Sequence, residues 1–320
     1  MIKVGIIGCD DRRAAELVRV LINHPDVELV WVAADRLAGT RLDEVIPGIV
    51  GECDLTVSGD AAMDGLDVVY LCGTRAQVAA RMSTLTVPDN VKIIDLSGCH
   101  NLDYGTDADT VWKYGMSEMH RRLLVHDTQR VTMPGSAATA ALLALMPMAR
   151  NRLLNSPVEV HVAMGAQALD DQGKTLDGLS IADWCHDQQL EIGYALVQCQ
   201  SSPSHPVTLT VTPLAESRPL LAEVRFKCGL DLEMIRQLYE QYYDDHNFVF
   251  LVDRPLVGAD VENTNKCLLR LEKDEQSGEL IIHAVLDVLL KGGAGNAVHA
   301  MNLLYGLHEL AGLALKGSGG

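Results

Sequence analysis

The first part of the chain, up to Ala33, constrains the fold more than any other segment. Lys3 to Ile7 form a short apolar run that ends at Gly8, and Val27 to Ala33 form a second run rich in β-forming residues. Between them, Ala14 to Leu21 place apolar residues at the spacing of one helix face. A strand, a helix and a second buried strand in this order are typical of a parallel sheet with helices on its faces.

The rest of the first half continues this pattern. Further buried strands are predicted at residues 67–71, 91–96 and 130–133, with a helix at 76–82 between the first two. The sequence therefore predicts an α/β fold, a Rossmann-like doubly wound parallel sheet, for this half.

The second half has a different pattern. After a predicted apolar helix at 139–149, longer strands follow that are not regularly separated by helices, at 158–164, 207–211, 221–227, 248–252, 266–271 and 280–287. This pattern indicates an α+β domain with a mixed sheet. The 320 residues suffice for two domains. We expect them at 1–135 and 136–295, with a C-terminal helix over 296–316 completing the first.

Charge and cysteine content exclude several classes of function. The 26 basic and 43 acidic residues give a net charge of −17, which repels nucleic acid and anionic lipid. The longest apolar stretch, 137–148, is shorter than a bilayer span. Widely spaced cysteines without a C-x-x-C pair favour a reducing, cytoplasmic location. We expect no metal site, because the Cys99-His100 and Cys185-His186 neighbours rarely ligate one ion.

The turn after the first strand has two interpretations. A strand, a glycine and a helix N-terminus form the usual binding site of a dinucleotide pyrophosphate, and Asp35 after the second strand would then accept a ribose 2′-OH and favour NAD over NADP. The turn after Gly8, however, reads Cys9-Asp10-Asp11 and lacks further glycines. The alternative is an ordinary turn whose Asp residues cap the helix.

A second strand-to-helix turn carries Ser136. The segment Met133-Pro134-Gly135-Ser136 precedes the apolar helix, so the serine lies near the first turn of that helix. Such a position suits a nucleophile, because the helix dipole stabilises an anion there.

At this turn the chain resembles the N-acetyl-γ-glutamyl-phosphate reductases, which belong to the aspartate-semialdehyde dehydrogenase superfamily. The motifs that carry the resemblance are MIKVGIIG at the start, IIDLS at 93–97, YGMSEM at 114–119, PGSAATAALLAL from Pro134, TNKC at 264–267 and KGGAGNAV at 291–298. They extend over nearly the whole length. The resemblance implies the two-domain fold described above, and a homodimer or homotetramer formed through the mixed sheet.

The resemblance also implies a mechanism, from which this sequence departs. In that family a Cys in a P-G-C-Y-P-T-A turn attacks the acyl phosphate, NADPH reduces the thioester, and a His serves as acid and base. Ser136 stands at the nucleophile position and Thr212 at the acid/base position. Neither group ionises readily near neutral pH. The G-x-x-G-x-x-G loop keeps Gly8, with Asp11 and Ala14 at the later positions.

Further residues are carried over from the family. Arg218 matches a substrate-anchoring arginine, for which a surface salt bridge is the alternative interpretation. Gly292 is retained in the last motif and, with Gly8, Asp11 and Asp35, belongs to the expected vestigial cofactor region. The substrate loop of the family is replaced by Met164 to Ala168.

These departures lead to one expectation and two alternatives. We expect a pseudoenzyme without a bound cofactor, which acts as a binding or assembly partner of a paralogue or another biosynthetic enzyme, and has no nucleic acid or membrane partner. The first alternative is an active oxidoreductase that uses NADP or NAD and forms a semialdehyde from an acyl phosphate. The second is a hydrolase in which His186 activates Ser136, although no G-x-S-x-G elbow is present.

Overall fold

The computed structural model describes residues 1–103, 111–125, 128–200, 205–214 and 218–317. The strands are β1 (Ile2–Ile7), β2 (Val27–Ala33), β3 (Val68–Leu71), β4 (Lys92–Asp95), β5 (Lys113–Tyr114), β6 (Arg130–Thr132), β7 (Val158–Gly165), β8 (Val207–Leu214), β9 (Pro219–Lys227), β10 (Val249–Leu251), β11 (Cys267–Asp274) and β12 (Glu279–Asp287). The helices are α1 (Arg12–Leu21), α2 (Leu42–Val45), α3 (Arg75–Met82), α4 (Ser117–Val125), α5 (Ser136–Arg150), α6 (Ile181–Cys199), α7 (Leu232–Tyr243) and α8 (Ala294–Leu304). The strands predicted from apolar runs are present, with bounds that differ by a few residues.

The first sheet is parallel, as the sequence predicts. In the described part of the chain its six strands lie in the order β2-β1-β3-β4-β6-β5, and all of these pairings are parallel. Val4, Ile6 and Val68 are fully buried, as expected of strands covered on both faces. Since β2 and β3 flank β1 on opposite sides, the strand order reverses at β1. Ligands of such sheets bind outside the carboxyl ends of the strands at this place.

The second sheet is mixed, which confirms the other half of the fold prediction. Its strands lie in the order β10-β11-β12-β9-β7-β8, with antiparallel pairs in the centre and parallel pairs at both ends. Along β9, Ala222 and Val224 are buried on the face that α5 covers, whereas Glu223 and Arg225 lie on the opposite face. The apolar residues of α5 form the centre of this core.

The chain divides into two compact units. The first consists of Met1–Pro134, Leu176–Gly178 and Gly293–Ala314, and the second mainly of Gly135–Thr175 and Leu179–Gly292. The first unit thus takes α8 from the end of the chain and three residues from its middle.

Several helices differ from the prediction: α2, α4, α6 and α7 have no counterpart in it, and α8 is shorter than predicted. α8 ends at Leu304 rather than near residue 316, because Tyr305 leaves helical geometry and Gly306 adopts a left-handed φ of +63°. α6 escapes the periodicity analysis because its apolar residues are not confined to one face, and Leu190, Tyr194 and Val197 are exposed. None of the helices in the described ranges combines the length and apolar character that crossing a membrane requires.

Candidate functional site

The turn between β1 and α1 lies at the carboxyl edge of the parallel sheet, and Gly8 is its first residue. Gly8 has a φ of +85°, and a Cβ atom at this position would lie 2.3 Å from the carbonyl oxygen of Cys72. The close approach of the β3–α3 turn therefore requires glycine here. Packing within the unit is sufficient to explain why Gly8 is present.

Asp11 caps the N-terminus of α1. Its Oδ1 accepts a hydrogen bond from the backbone N–H of Arg13 at 2.7 Å, which satisfies one of the helix's otherwise unpaired donors. The partial positive charge of the helix end also stabilises this carboxylate. Asp11 therefore caps the helix, as the second interpretation of the turn predicts.

The side chain of Arg13 is the centre of a buried polar network in the first unit. Its Nε and Nη2 donate to both carboxylate oxygens of Asp11, at 3.0 and 2.9 Å, and Nη1 donates to Asp177 at 2.7 Å. The same guanidinium donates to three backbone carbonyls, those of Gly73, Leu96 and Leu176. Every N–H group of this guanidinium therefore has an acceptor within the unit.

Charge is balanced inside this network. Burial by itself lowers the pKa of Arg13, but the carboxylates of Asp11 and Asp177 raise this pKa by more than burial lowers it. The guanidinium therefore remains protonated. Burial raises the pKa of Asp177 above its ordinary value, against the opposing effect of Arg13. The charge of Arg13 is thus matched by carboxylates of the chain itself.

A cavity of about 240 Å³ lies beside this network, at the ends of β1 and β2 and against α3. Asp10, Asp35, Arg36 and Arg81 contribute its charged lining, and Arg13 is not part of it. Asp35 is exposed, and Arg81 Nη1 lies 3.4 Å from its Oδ1. The predicted ribose acceptor thus lies at the cavity, paired with a guanidinium.

Ser136, the first residue of α5, lies half-buried after the N-cap residue Gly135. Among the residues that the structure describes, no group forms a hydrogen bond with the Ser136 hydroxyl. A serine nucleophile needs a base that accepts its proton. The described surroundings of Ser136 do not provide one in hydrogen-bonding contact.

Two residues of α6 cap α5, and the sequence analysis missed this role for both. Gln188 Oε1 accepts from the N–H of Ala138, and Glu191 Oε1 accepts from the N–H of Gly135, both at 3.0 Å. Gln188 Nε2 donates to the second oxygen of Glu191 at 2.9 Å. Both side chains are buried. Their three-residue spacing places them on one helix face, but nothing local in the sequence indicates what that face contacts.

Gly292 lies against Ser136. A Cβ atom on Gly292 would lie 2.8 Å from Ser136 Cβ and 2.7 Å from the carbonyl oxygen of Val288. The structure therefore brings together two residues that the sequence analysis had placed in different roles, the nucleophile position and the vestigial cofactor region. A larger side chain at Gly292 would displace Ser136 or the Val288 backbone.

The structure does not bring Thr212 to Ser136. Thr212 lies on β8 with its Oγ1 3.4 Å from His161 Nε2, and His161 is the register partner of Glu223. These residues lie on the sheet face opposite the one that α5 covers. An acid/base partnership of Thr212 with Ser136 therefore has no geometric support.

Arg218 forms an ion pair with a buried carboxylate. Its Nε donates to Asp287 Oδ2 at 2.5 Å, and Asp287 also accepts from the N–H groups of Asn263 and Leu289. Burial raises the pKa of Asp287, which the neighbouring Arg218 partly offsets. The salt bridge considered from the sequence is therefore present, but its carboxylate is fully buried instead of lying at the surface. Substrate anchoring by Arg218 stays a prediction.

Two histidines were considered from the sequence, His186 as a base for Ser136 and His100 as half of a metal site. His186 is exposed and precedes Gln188 by two positions on α6. It therefore lies on a different helix face from the one that caps α5, and the Ser136–His186 pair is not formed. His100 Nδ1 lies 2.8 Å from Asp95 Oδ2, and its ring stacks on Trp112 at 3.8 Å. Within the described ranges, no group of three or more His, Cys, Asp or Glu side chains has the arrangement of a metal site.

Comparison with known proteins identifies the family. The family model "Semialdehyde dehydrogenase, NAD binding domain" matches residues 3–126, and "Semialdehyde dehydrogenase, dimerisation domain" matches residues 179–287. A Parabacteroides distasonis protein named N-acetyl-gamma-glutamyl-phosphate reductase is 37% identical over 99% of both chains. The chain belongs to this family. A Flavobacterium johnsoniae protein of the same name is 30% identical over 100% of both chains.

Solved structures from the wider superfamily share the fold. Aspartate semialdehyde dehydrogenase II of Vibrio cholerae, in complex with ASA, gives a TM-score of 0.72 at 13% identity, covering 95% of this chain and 98% of that chain. The Candida albicans aspartate semialdehyde dehydrogenase with NADP gives 0.71 at 12% identity, with the same coverage. The resemblance stated from the sequence motifs is confirmed.

Proposed function

We propose that this member of the reductase family does not reduce an acyl phosphate through an enzyme-bound ester, and that it serves as a binding or assembly partner. The observation that carries the proposal is the environment of Ser136. Its hydroxyl stands where the family mechanism requires a thiolate, and no described group accepts its proton.

The groups around Ser136 do not compensate for the missing thiol. The amide of Gln188 does not take up a proton, and both oxygens of Glu191 accept hydrogen bonds, from Gly135 and Gln188. These two side chains also occupy two N–H groups at this helix end, those of Ala138 and Gly135. An oxygen ester is also a poorer hydride acceptor than a thioester, so hydride transfer would be slow even if an ester formed.

The test is a turnover assay. NADPH oxidation is followed with N-acetyl-γ-glutamyl phosphate for the wild-type chain and Ser136→Ala, with the Parabacteroides distasonis relative as the positive control. We expect the two chains to give the same background rate, because the hydroxyl contributes nothing. A wild-type rate that exceeds that of Ser136→Ala and depends on the acyl phosphate would refute the proposal.

One observation favours the alternative of an active NAD(P)-dependent oxidoreductase. The cavity beside Asp35 lies within the part of the chain that matches an NAD binding domain. If that cavity holds the adenosine half of a cofactor, Asp35→Ser should weaken NAD binding and leave NADP binding less affected. Unchanged affinity for both nucleotides would remove the support for this alternative.

We further propose a cytoplasmic homodimer or homotetramer that associates through the second sheet. The dimerisation domain match covers β9, β11 and β12, whose open face contains a groove of about 330 Å³ with apolar residues such as Leu221 and Leu256. All eight cysteines are free thiols, which supports a reducing compartment. Light scattering should give two or four times 34.7 kDa, and a monomeric mass would contradict the proposal.

A further inference from the structure

The N-terminus of α1 is the place where a Rossmann-type sheet binds a pyrophosphate. Binding there requires backbone N–H groups that point at the ligand and a turn small enough for the phosphates to approach. In the family pattern the second glycine of the loop provides this space, and Asp11 occupies that position. The contacts of Asp11 therefore decide whether a ligand can approach this turn.

The Asp11 carboxylate supplies the negative charge that the helix end would otherwise take from a ligand. It accepts the N–H of Arg13 at 2.7 Å, and its side chain is only 6% exposed. A phosphate at this helix end would have to displace this carboxylate, both oxygens of which are bonded to the guanidinium of Arg13. The carboxylate of Asp10, in the lining of the neighbouring cavity, adds like-charge repulsion.

Arg13 connects several strand ends of the first sheet through hydrogen bonds. Its guanidinium joins the start of α1 to the carbonyl of Gly73 after β3, the carbonyl of Leu96 after β4, and the segment that contains Asp177. These are the strand ends that border the ligand site of a doubly wound sheet. Since each N–H of the guanidinium already has an acceptor, Arg13 has no donor to offer to a phosphate.

We infer that Asp11 and Arg13 together replace the pyrophosphate of the family's cofactor: the carboxylate occupies its charge position and the guanidinium its bridging position. The first unit is therefore closed to dinucleotides and keeps its strand ends connected without a ligand. The residues present do not fit NAD or NADP at this turn. This inference rests on the proposed loss of the reductase reaction, but its test measures binding instead of turnover.

The experiment removes the Asp11–Arg13 pair by substitution, and a variant without this pair is called an opened variant. Binding of NADPH and of inorganic pyrophosphate is measured by calorimetry for the wild-type chain, for Asp11→Gly/Arg13→Ala, and for the near-isosteric Asp11→Asn/Arg13→Gln. The second variant removes both charges while keeping a good N-cap residue, so it addresses the case in which the first does not fold. Arg19→Ala, on the same helix with Arg19 partly exposed, is the matched control.

We expect no heat for the wild-type chain and the Arg19→Ala control up to about 1 mM ligand, and at least tenfold tighter binding of pyrophosphate and NADPH by an opened variant. Micromolar binding of either ligand to the wild-type chain would overturn the inference. A folded, opened variant that gains no affinity would overturn it as well. If the wild-type chain binds NADPH without turnover, only this inference fails; if it also turns over, both proposals fail.

Discussion

The N-termini of α1 and α5 are comparable places with different solutions. Each carries a residue that the resemblance places at a family site position, Asp11 before α1 and Ser136 at the start of α5. At α1 the cap is local, because Asp11 bonds a backbone group two residues away. At α5 the N-cap residue Gly135 has no side chain, and the cap comes from Gln188 and Glu191 of another helix.

The difference shows that one helix N-terminus is capped by the residue that precedes it and the other by side chains of a different helix. The cap of α1 is part of a buried ion-pair network centred on Arg13, whereas the cap of α5 combines one amide with one carboxylate. We therefore expect the two helix ends to contribute differently to the free energy of unfolding. Three measurements test the difference between them.

The largest effect is expected at α1. Arg13→Ala leaves the carboxylates of Asp11 and Asp177 without their buried partner and should lower the free energy of unfolding by about 3–5 kcal/mol. Urea denaturation measures this. Arg19→Ala removes only a partly exposed pair with Glu16 and should change the value by less than about 0.5 kcal/mol. If both variants lose the same free energy of unfolding, the buried network stabilises the protein no more than a partly exposed ion pair does.

A smaller effect is expected at α5. Gln188→Ala leaves the N–H of Ala138 and one oxygen of Glu191 without their partner, which should cost about 1–3 kcal/mol. His186→Ala, on the same helix but exposed, is the matched control and should be nearly neutral. If Gln188→Ala destabilises as much as Arg13→Ala, the distinction between the two helix ends is lost.

The smallest effect is a difference in thiol reactivity. Burial, together with Asp10, raises the pKa of Cys9 in the β1–α1 turn to about 11, so only about 0.1% of it is thiolate at pH 8. The thiol introduced by Ser136→Cys is half-buried at the start of α5 and should react with iodoacetamide at least tenfold faster.

The pH dependence of this labelling sharpens the test. Between pH 8 and pH 9 the rate at Cys9 should rise about tenfold, because both values lie below its pKa, whereas the rate at the introduced thiol should level off. Peptide mass mapping distinguishes the two sites. Similar rates at pH 8 would mean that the two turns are equally accessible.

The sequence predicted what depends on neighbours along the chain. Apolar periodicity located the strands and α1, and the residue type of Asp11 indicated a cap, because these signals act over a few residues. The bonds of Gln188 to α5 and of Arg13 to Asp177 connect residues far apart in sequence, so no local pattern reports them. The environment of Thr212 beside His161 is likewise not predictable, because an aligned position does not specify the sheet face.

The first unit has a consequence for the order of folding during synthesis. Arg13 and Asp177 are 164 positions apart, and α8 comes from the end of the chain. The parallel sheet therefore leaves the ribosome before its polar network and its last helix have been synthesised. The main part of the second unit, from Gly135 to Gly292 without residues 176–178, is translated before the first unit can be completed. The later-encoded half is thus able to fold first.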